Sequence, residues 1–491
     1  MSLAKRVAHN TIIQIAGKII STVLGLLALA FITRYLGRTG FGEYTTVLTF
    51  LTFFAVIADF GLTLVTVQMI SARGNEENKI LNNIFSLRLI SIIAVLGLAP
   101  LIVIFFPYSQ AIKIGVLVAL ASFIFPALNQ VIIGLFQKKL SMGRDAVAEV
   151  ISRLVLLIGI ILTKKLDAGL NGILWASVAS AAASFAGHYL LAAKFAFIKL
   201  EFDWAIWKQI WFKSWPLAIT IVLNLIYLRA DILFLSLFRG VDEVGLYGAT
   251  YKVIDVLTTV PFMFAGLILP ILTTAWSDKA SDYFKRVLQK SFDFMAFITI
   301  PLIVGAQFLG RPIMTAIAGK DFAASGLILQ ILIFGVAAVF LGTMFSHAVI
   351  ALDRQKKMIG YYIFTSLTAV AAYLFLIPKY SYFGAAAVTI YSEVLIAIFS
   401  AICVFKYSRF RPNLVLSLKS LASAAIMGLG LYWLAPFSRT GLSGLIIVII
   451  AAGAIYFIVL CLLGGVKRSD LEIIFSRQKK SGGPTYNNTN F

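Results

Sequence analysis

The sequence predicts an all-α polytopic membrane protein of about fourteen transmembrane helices, arranged as two parallel six-helix bundles related by a pseudo-two-fold axis along the membrane normal, plus two extra C-terminal helices. Three observations predict it. Of 491 residues, 60% are hydrophobic and only 13% are charged, and the mean hydropathy is +0.95, far outside the range of soluble domains. Apolar runs long enough to cross a bilayer, which takes about 20 residues, recur along the whole chain. A short motif also returns at a fixed offset in the second half.

The first bundle, residues 1–198, holds the runs Ile12–Thr33, Tyr44–Ile70, Ile84–Phe106, Ile114–Gly134, Ala146–Thr163 and Gly172–Ala193. Lys5 and Arg6 ahead of an apolar run that contains Ala28-Leu29-Ala30 resemble a signal peptide, but the run continues through Phe31 and Ile32 into the repeat, so the first helix is expected to stay. A Trp- and Lys-rich linker at 199–213 reads as an amphipathic segment on the membrane surface. The second bundle, 214–406, holds Trp215–Phe238, Tyr247–Trp276, Phe292–Gly310, Ser325–Ile350, Gly360–Pro378 and Phe383–Phe405. Residues 407–466 add Leu416–Pro436 and Leu442–Gly464, and the polar tail 467–491 is expected to be disordered.

The net charge of +21 is explained by topology, not by nucleic acid. Of the 42 Lys and Arg, 26 fall in segments on the side of the N-terminus, 10 on the opposite side and 6 within spans. Both termini are therefore expected on the cytoplasmic side of an inner membrane, with phospholipid headgroups as partners of the basic excess. Cys403 and Cys461 sit singly in different late spans, which excludes a disulfide framework. No phosphate-cradling loop occurs and no cofactor is expected, so the energy source is an ion gradient, the membrane potential or the substrate's own gradient.

The repeat is Gly-x4-Gly-x-Tyr: Gly37, Gly42, Tyr44 and then Gly240, Gly245, Tyr247, offset by 203 residues. Its glycines allow tight connections and its tyrosines are placed to anchor at headgroup level. A second echo joins Asn171–Ser177 to Phe383–Thr389. Six spans per repeat return the chain to the same side, so the halves are parallel and enclose a cleft, the architecture of an alternating-access transporter.

Polar residues at helical spacing mark the cleft: Asn10, Gln14, Lys18 and Ser21 in span 1; Thr45, Thr49, Thr52, Asp59, Thr63 and Thr66 in span 2; Thr220, Asn224, Tyr227 and Asp231 in span 7; Lys252, Asp255 and Thr259 in span 8. Threonines alone favour helix packing, but ionised groups at the bilayer centre cost several kcal/mol, from about 2.5 upward, and mark function. Arg229, two residues from Asp231, points some 200° away from it and is expected to reach round to the cavity or to meet an acid on a neighbouring helix, Asp255 first, while Asp231 faces the cleft. Glu149 with Arg153 and Lys252 with Asp255 have the spacing of local ion pairs, Arg88, Lys113 and Asp293 that of snorkelling residues, and Glu393 has no sequence-local partner. Asp59, Asp255 and Glu393 are the ion-coupling candidates, Asp59 having a salt bridge to Lys18 as its alternative. Lys18 itself has no acid near it in sequence.

With "RYLGRTGFGEY" (Arg34 to Tyr44), "ADFGL" (Ala58 to Leu62), "ADILFLSLF" and "VGLYGATYK" (Ala230 to Lys252) and "FGAAAVTIYSEV" (Phe383 to Val394), the chain resembles the polysaccharide/oligosaccharide flippases, the Wzx-type branch of the multidrug/oligosaccharidyl-lipid/polysaccharide exporter superfamily. The resemblance implies a flippase, not an enzyme, for a polyprenyl-diphosphate-linked glycan, such as an O-antigen, capsule or exopolysaccharide unit, working alongside polysaccharide polymerase machinery. Such a substrate needs a wet cavity for its sugar, cations for its diphosphate and a seam for its tail. Gln14, Lys18, Asn224, Tyr227, Arg229, Asp231 and Lys252 are the substrate candidates.

The alternative is an ion-coupled drug or cation exporter of the same superfamily, which the acids of the stripes would suit. A glycan polymerase or ligase fits less well. The only histidines are His9, His188 and His347, no nucleophile or metal set converges, and no outside loop exceeds roughly fifteen residues.

Overall fold

The structure, a computed structural model, describes residues 3–71 and 77–465. The side chains of Asn10 and Thr220 and the whole tail, 467–491, lie outside the described residues. The described residues form helices without strands: α1 Leu3–Asp59, α2 Leu62–Ser71, α3 Glu77–Val103, α4 Gln110–Ala119, α5 Ala121–Lys138, α6 Gly143–Lys165, α7 Gly169–Ala192, α8 Trp204–Phe238, α9 Val241–Ser277, α10 Ser281–Ala318, α11 Ser325–Ala351, α12 Gln355–Ser408, α13 Val415–Leu434 and α14 Leu442–Leu462. Apolar surface without water to satisfy backbone amides leaves the helix as the available element.

Twelve helical stretches are long and apolar enough to span a membrane. Two of them exceed one crossing. α12, with 54 residues, would run about 80 Å if straight, against a hydrocarbon core of about 30 Å. Each long helix is broken once: α1 at Gly37, with φ 65°, and α12 at Ser381, with φ 55°. Glycine takes the left-handed conformation without a Cβ penalty. Ser381 has that penalty, and its hydroxyl donates to Glu243 in the first turn of α9. The sequence run Tyr44–Ile70 is likewise broken at Phe60 and Gly61, both at positive φ, so Asp59 stands at a helix end.

α8 starts at Trp204, inside the segment 199–213. Asp203 caps α8 by accepting from the amides of Ala205 and Ile206. Ahead of it the chain is extended, and alternate amides are caught by one end of α3: Lys199 N donates to Asn82 Oδ1 at 3.2 Å, Glu201 N to Ser86 Oγ at 2.8 Å and Asp203 N to Asn83 Oδ1 at 2.7 Å. Extended backbone presents every second amide to one side, and the three polar groups of α3 read that period. Lys79, 2.7 Å from Asp203 and the first cause, together with the α8 amides, holds the Asp203 carboxyl below the usual carboxylate range. Phe197, Phe202, Trp204, Trp211 and Phe212 are left exposed.

The repeat motifs meet in space. A Cβ on Gly42 would overlap the carbonyl oxygen of Val241, and one on Gly245 that of Arg38. The two contacts interchange under the 203-residue offset, as a two-fold axis between them demands. Thr39 and Asp242, equivalent positions, hydrogen-bond at 2.6 Å. At the same end Arg34 of α1 donates to the last carbonyls of α10, Ala316 at 2.7 Å and Ile317 at 2.8 Å, and Tyr108 bonds Ser236 of α8 at 2.8 Å. This end is closed.

The repeat tyrosines are not headgroup anchors. Tyr247 is fully buried and Tyr44 nearly so, because each turns inward to the second echo of its own half: Tyr44 meets Ser177, and Tyr247 meets Thr389 at 3.4 Å. Arg88 does not snorkel either. It is 3% exposed and ion-pairs with Asp59, whose other oxygen contacts are Thr63 and the amide of Gly61. α13 and α14 pack on α10, where Tyr456 donates to the Phe297 carbonyl at 2.9 Å.

Candidate functional site

A cavity of about 270 Å³ lies among α8, α9, α11 and α12. From α8 it receives Asn224, Tyr227 and Arg229; from α9, Tyr251 and Asp255; from α12, Tyr362, Thr389 and Glu393. Tyr227 and Tyr362 lie nearly parallel, 6° apart with centroids at 6.4 Å, and Asn224 donates to the Tyr227 hydroxyl at 2.5 Å. Arg229 Nη2 donates to Asp255 Oδ1 at 2.6 Å, and its guanidinium stands 5.0 Å from the Tyr251 ring. The acid nominated from the sequence is the one Arg229 meets. His347 of α11 also borders the cavity, its Nδ1 2.8 Å from the Thr343 carbonyl.

Asp231 is not where the stripe placed it. It is 0% exposed and does not border the cavity, whereas Arg229, 33% exposed, does. The face of α8 that carries Asn224, Tyr227 and Asp231 turns, by Asp231, into the seam with α9 and α12. A short carboxylate ends where its Cβ points, whereas the longer Arg side chain can carry its charge round to the opening. Asp231 Oδ2 accepts from Tyr247 at 2.8 Å, from Thr389 at 3.1 Å and from Tyr251, and Oδ1 accepts from the Ile232 amide at 2.8 Å. Tyr251 and Thr389 border the cavity, so Asp231 holds its wall from behind. Burial of a carboxylate without such donors would cost several kcal/mol.

Glu393 differs from the other acids. It is 8% exposed, borders the cavity, and its Oε1 is buried without a hydrogen-bond partner among the described residues. The remaining candidates stand elsewhere. Lys252 is exposed but does not border the cavity, and its expected pairing with Asp255 is replaced by that of Arg229. Lys18 has Glu149 at 3.4 Å, which excludes the alternative pairing with Asp59. Arg153 stands 3.8 Å from the same Glu149 oxygen. Gln14 is half-buried in α1 near that pair.

The charges of the cavity belong to one half alone. Subtracting the 203-residue offset, Tyr227 corresponds to Leu24, Arg229 to Leu26, Asp231 to Ala28, Tyr251 to Leu48 and Asp255 to Thr52. The first half carries apolar or neutral residues at each of these places. Tyr251, Tyr362 and Thr389 were not singled out from the sequence as cavity residues, although this subtraction marks Tyr251.

A family model described as polysaccharide biosynthesis protein matches residues 7–276, more than half of the chain. The chain belongs to this family. Over 399 residues it is 24% identical to a protein of Shigella flexneri named putative O-antigen transporter, covering 77% of this chain and 93% of the relative. It is also 24% identical to the capsular polysaccharide biosynthesis protein CapF of Staphylococcus aureus, over 54% of this chain and 67% of the relative. Among solved structures, the lipid II flippase MurJ in an inward closed conformation superposes with TM-score 0.75 at 18% identity, covering 92% of this chain and 98% of that one. An inward-facing multidrug resistance MATE transporter of the MOP superfamily superposes with TM-score 0.63 at 15% identity, over 81% and 97%. At these identities the likeness concerns the fold.

Proposed function

We propose that this member of the family is a flippase that moves a polyprenyl-diphosphate-linked oligosaccharide, such as an O-antigen, capsule or exopolysaccharide unit, across the cytoplasmic membrane by alternating access. Family membership supplies the class. The observation that carries the mechanism is a tyrosine-walled cavity confined to the second half and bordered by Arg229, Asp255 and Glu393, combined with a glycine seal between the halves at one end. α1 and α12 each cross twice, which gives fourteen passes, with bundles at 1–198 and 214–406 and both termini cytoplasmic, in line with the basic excess on that side. The sealed end then faces outward, where the product is handed to polymerising enzymes.

The tyrosines offer ring faces and hydroxyls to a sugar. Arg229 spends one nitrogen on Asp255 and keeps others of its five donors for a phosphate oxygen. Lys18 and Lys252 add positive charge outside the cavity, Lys18 shared with Glu149. Of the coupling candidates, Asp59 is engaged by Arg88 and Asp255 by Arg229, which leaves Glu393 as the acid with free capacity.

That same free carboxylate favours a second reading, a cation exporter. Proteoliposomes decide between them. The flippase reading expects a fluorescent lipid-linked oligosaccharide to change leaflet faster than in empty liposomes and expects no efflux of a fluorescent organic cation. Efflux without flipping would establish the exporter instead.

A further inference from the structure

Away from this cavity, α12 folds back on itself at Ser381, so that residues 355–364 lie beside residues 399–408. Tyr361 stacks on Phe399 with centroids 4.4 Å apart, and Lys357 donates to the Tyr407 hydroxyl. Between the two arms runs a groove of about 560 Å³. Its apolar length is made by Gly360, Phe364, Phe399 and Ile402, and its mouth by Lys357, Lys406 and Tyr407. The groove and the central cavity sit on opposite sides of the same helix arms: Tyr362 borders the cavity, Tyr361 the groove.

The mouth carries charge without compensation. Arg354 and Lys357 stand 4.5 and 4.7 Å from the Tyr407 ring, and Arg409 and Arg411 border the adjoining recess with Lys406. Among the described residues, none of these five cations has a carboxylate within ion-pair distance, although ten such pairs occur elsewhere in the protein. Below the cations, Phe364 and Ile402 are about half exposed, on a helix long and apolar enough to cross a membrane. Gly360 keeps the groove open, since a Cβ there would meet nothing within 4 Å.

An apolar trough under an unpaired cationic rim, at the ends of membrane helices, fits a molecule with a phosphate at one end and a hydrocarbon chain at the other. We propose that an anionic phospholipid seats here, its phosphate on Lys357, Lys406 and the Tyr407 hydroxyl, and one acyl chain along Gly360 and Ile402. The lipid supplies the counter-charge that the protein lacks and fills the trough between the two arms of α12.

The test is native mass spectrometry of the full chain released from nanodiscs of equal phosphatidylglycerol and phosphatidylcholine. The unsubstituted protein is expected to retain phosphatidylglycerol in preference. Lys357→Gln with Lys406→Gln should weaken that retention about tenfold or more, given about 1 kcal/mol per basic residue near a lipid surface. Gly360→Leu should abolish it with no loss of thermal stability, because the side chain enters open space and leucine favours a helix. Lys357→Arg with Lys406→Arg should keep it, as should Arg286→Gln with Lys290→Gln on a different helix. Undiminished retention in either the Lys pair or Gly360→Leu would overturn the assignment. So would displacement by millimolar inorganic phosphate, which would indicate a plain anion site, or displacement by an equal amount of a polyprenyl phosphate, which would make the occupant the substrate's carrier lipid.

Discussion

Arg229 and Asp231 divide the work of α8 between opening and wall, and they should respond differently to substitution. Asp231→Ala strips four donors of one acceptor, and a buried donor left unmade costs about 1–3 kcal/mol. It should lower the unfolding temperature in detergent and the yield of monodisperse protein. Arg229→Ala removes a part-exposed cation and should cost less stability while slowing transport about tenfold or more, the loss of one charge-assisted contact of about 1.5–3 kcal/mol. Equal melting of the two variants would contradict this assignment. Glu393→Gln, which replaces a carboxylate oxygen that has no partner, should melt no lower than the parent and still transport less. A lower melting temperature would show that Glu393 has a structural partner. At this scale the sequence was half legible. Helical spacing identified Asn224, Tyr227 and Asp255, and even the partner of Arg229. It misplaced Asp231, because a polar stripe looks the same whether it faces water or a polar seam between helices.

Helices and their breaks were more legible than single side chains, since an apolar run of fixed length is a property of many residues at once. The break at Gly37 follows from glycine. The break at Ser381 does not, because a serine at positive φ is sustained by a partner, Glu243, distant in sequence. The same holds for the extended segment 199–203, whose three captors on α3 are more than a hundred residues earlier. Asn82→Ala, Asn83→Ala and Ser86→Ala together should free it and accelerate hydrogen exchange at the amides of Lys199, Glu201 and Asp203. Unchanged exchange would mean that the membrane, not α3, holds the segment. Asp203 adds a pH dependence with a definite sign. Its carboxyl titrates below the usual range in the folded protein, so its contact with Lys79 contributes fully above about pH 4 and is lost as the pH falls through the depressed value. Protection of these amides, taken relative to the intrinsic exchange rate at each pH, should therefore fall on acidification below about pH 4, and Asp203→Asn should remove the response.

Across the whole molecule, the repeat read from eight residues of sequence turned out to be the contact between the halves. Gly42 and Gly245 allow backbone to meet backbone, and any side chain there prevents it. Gly245→Leu should keep that end from closing and leave both halves folded. The asymmetry, charges in one half and none at the equivalent places of the other, follows from the same 203-residue offset once the structure shows which residues border the cavity. The central claim is that transport requires this seal to open and close. It is tested by Thr39→Cys with Asp242→Cys in a background with Cys403 and Cys461 replaced by serine, reconstituted with a fluorescent lipid-linked oligosaccharide and treated with a short, reducible thiol cross-linker. The hydroxyl and carboxylate at these positions are 2.6 Å apart, so the bridge should form readily. Flipping should stop when the bridge is made and return when it is reduced. Flipping that continues at the untreated rate through a fully cross-linked seal would contradict alternating access at this end of the molecule.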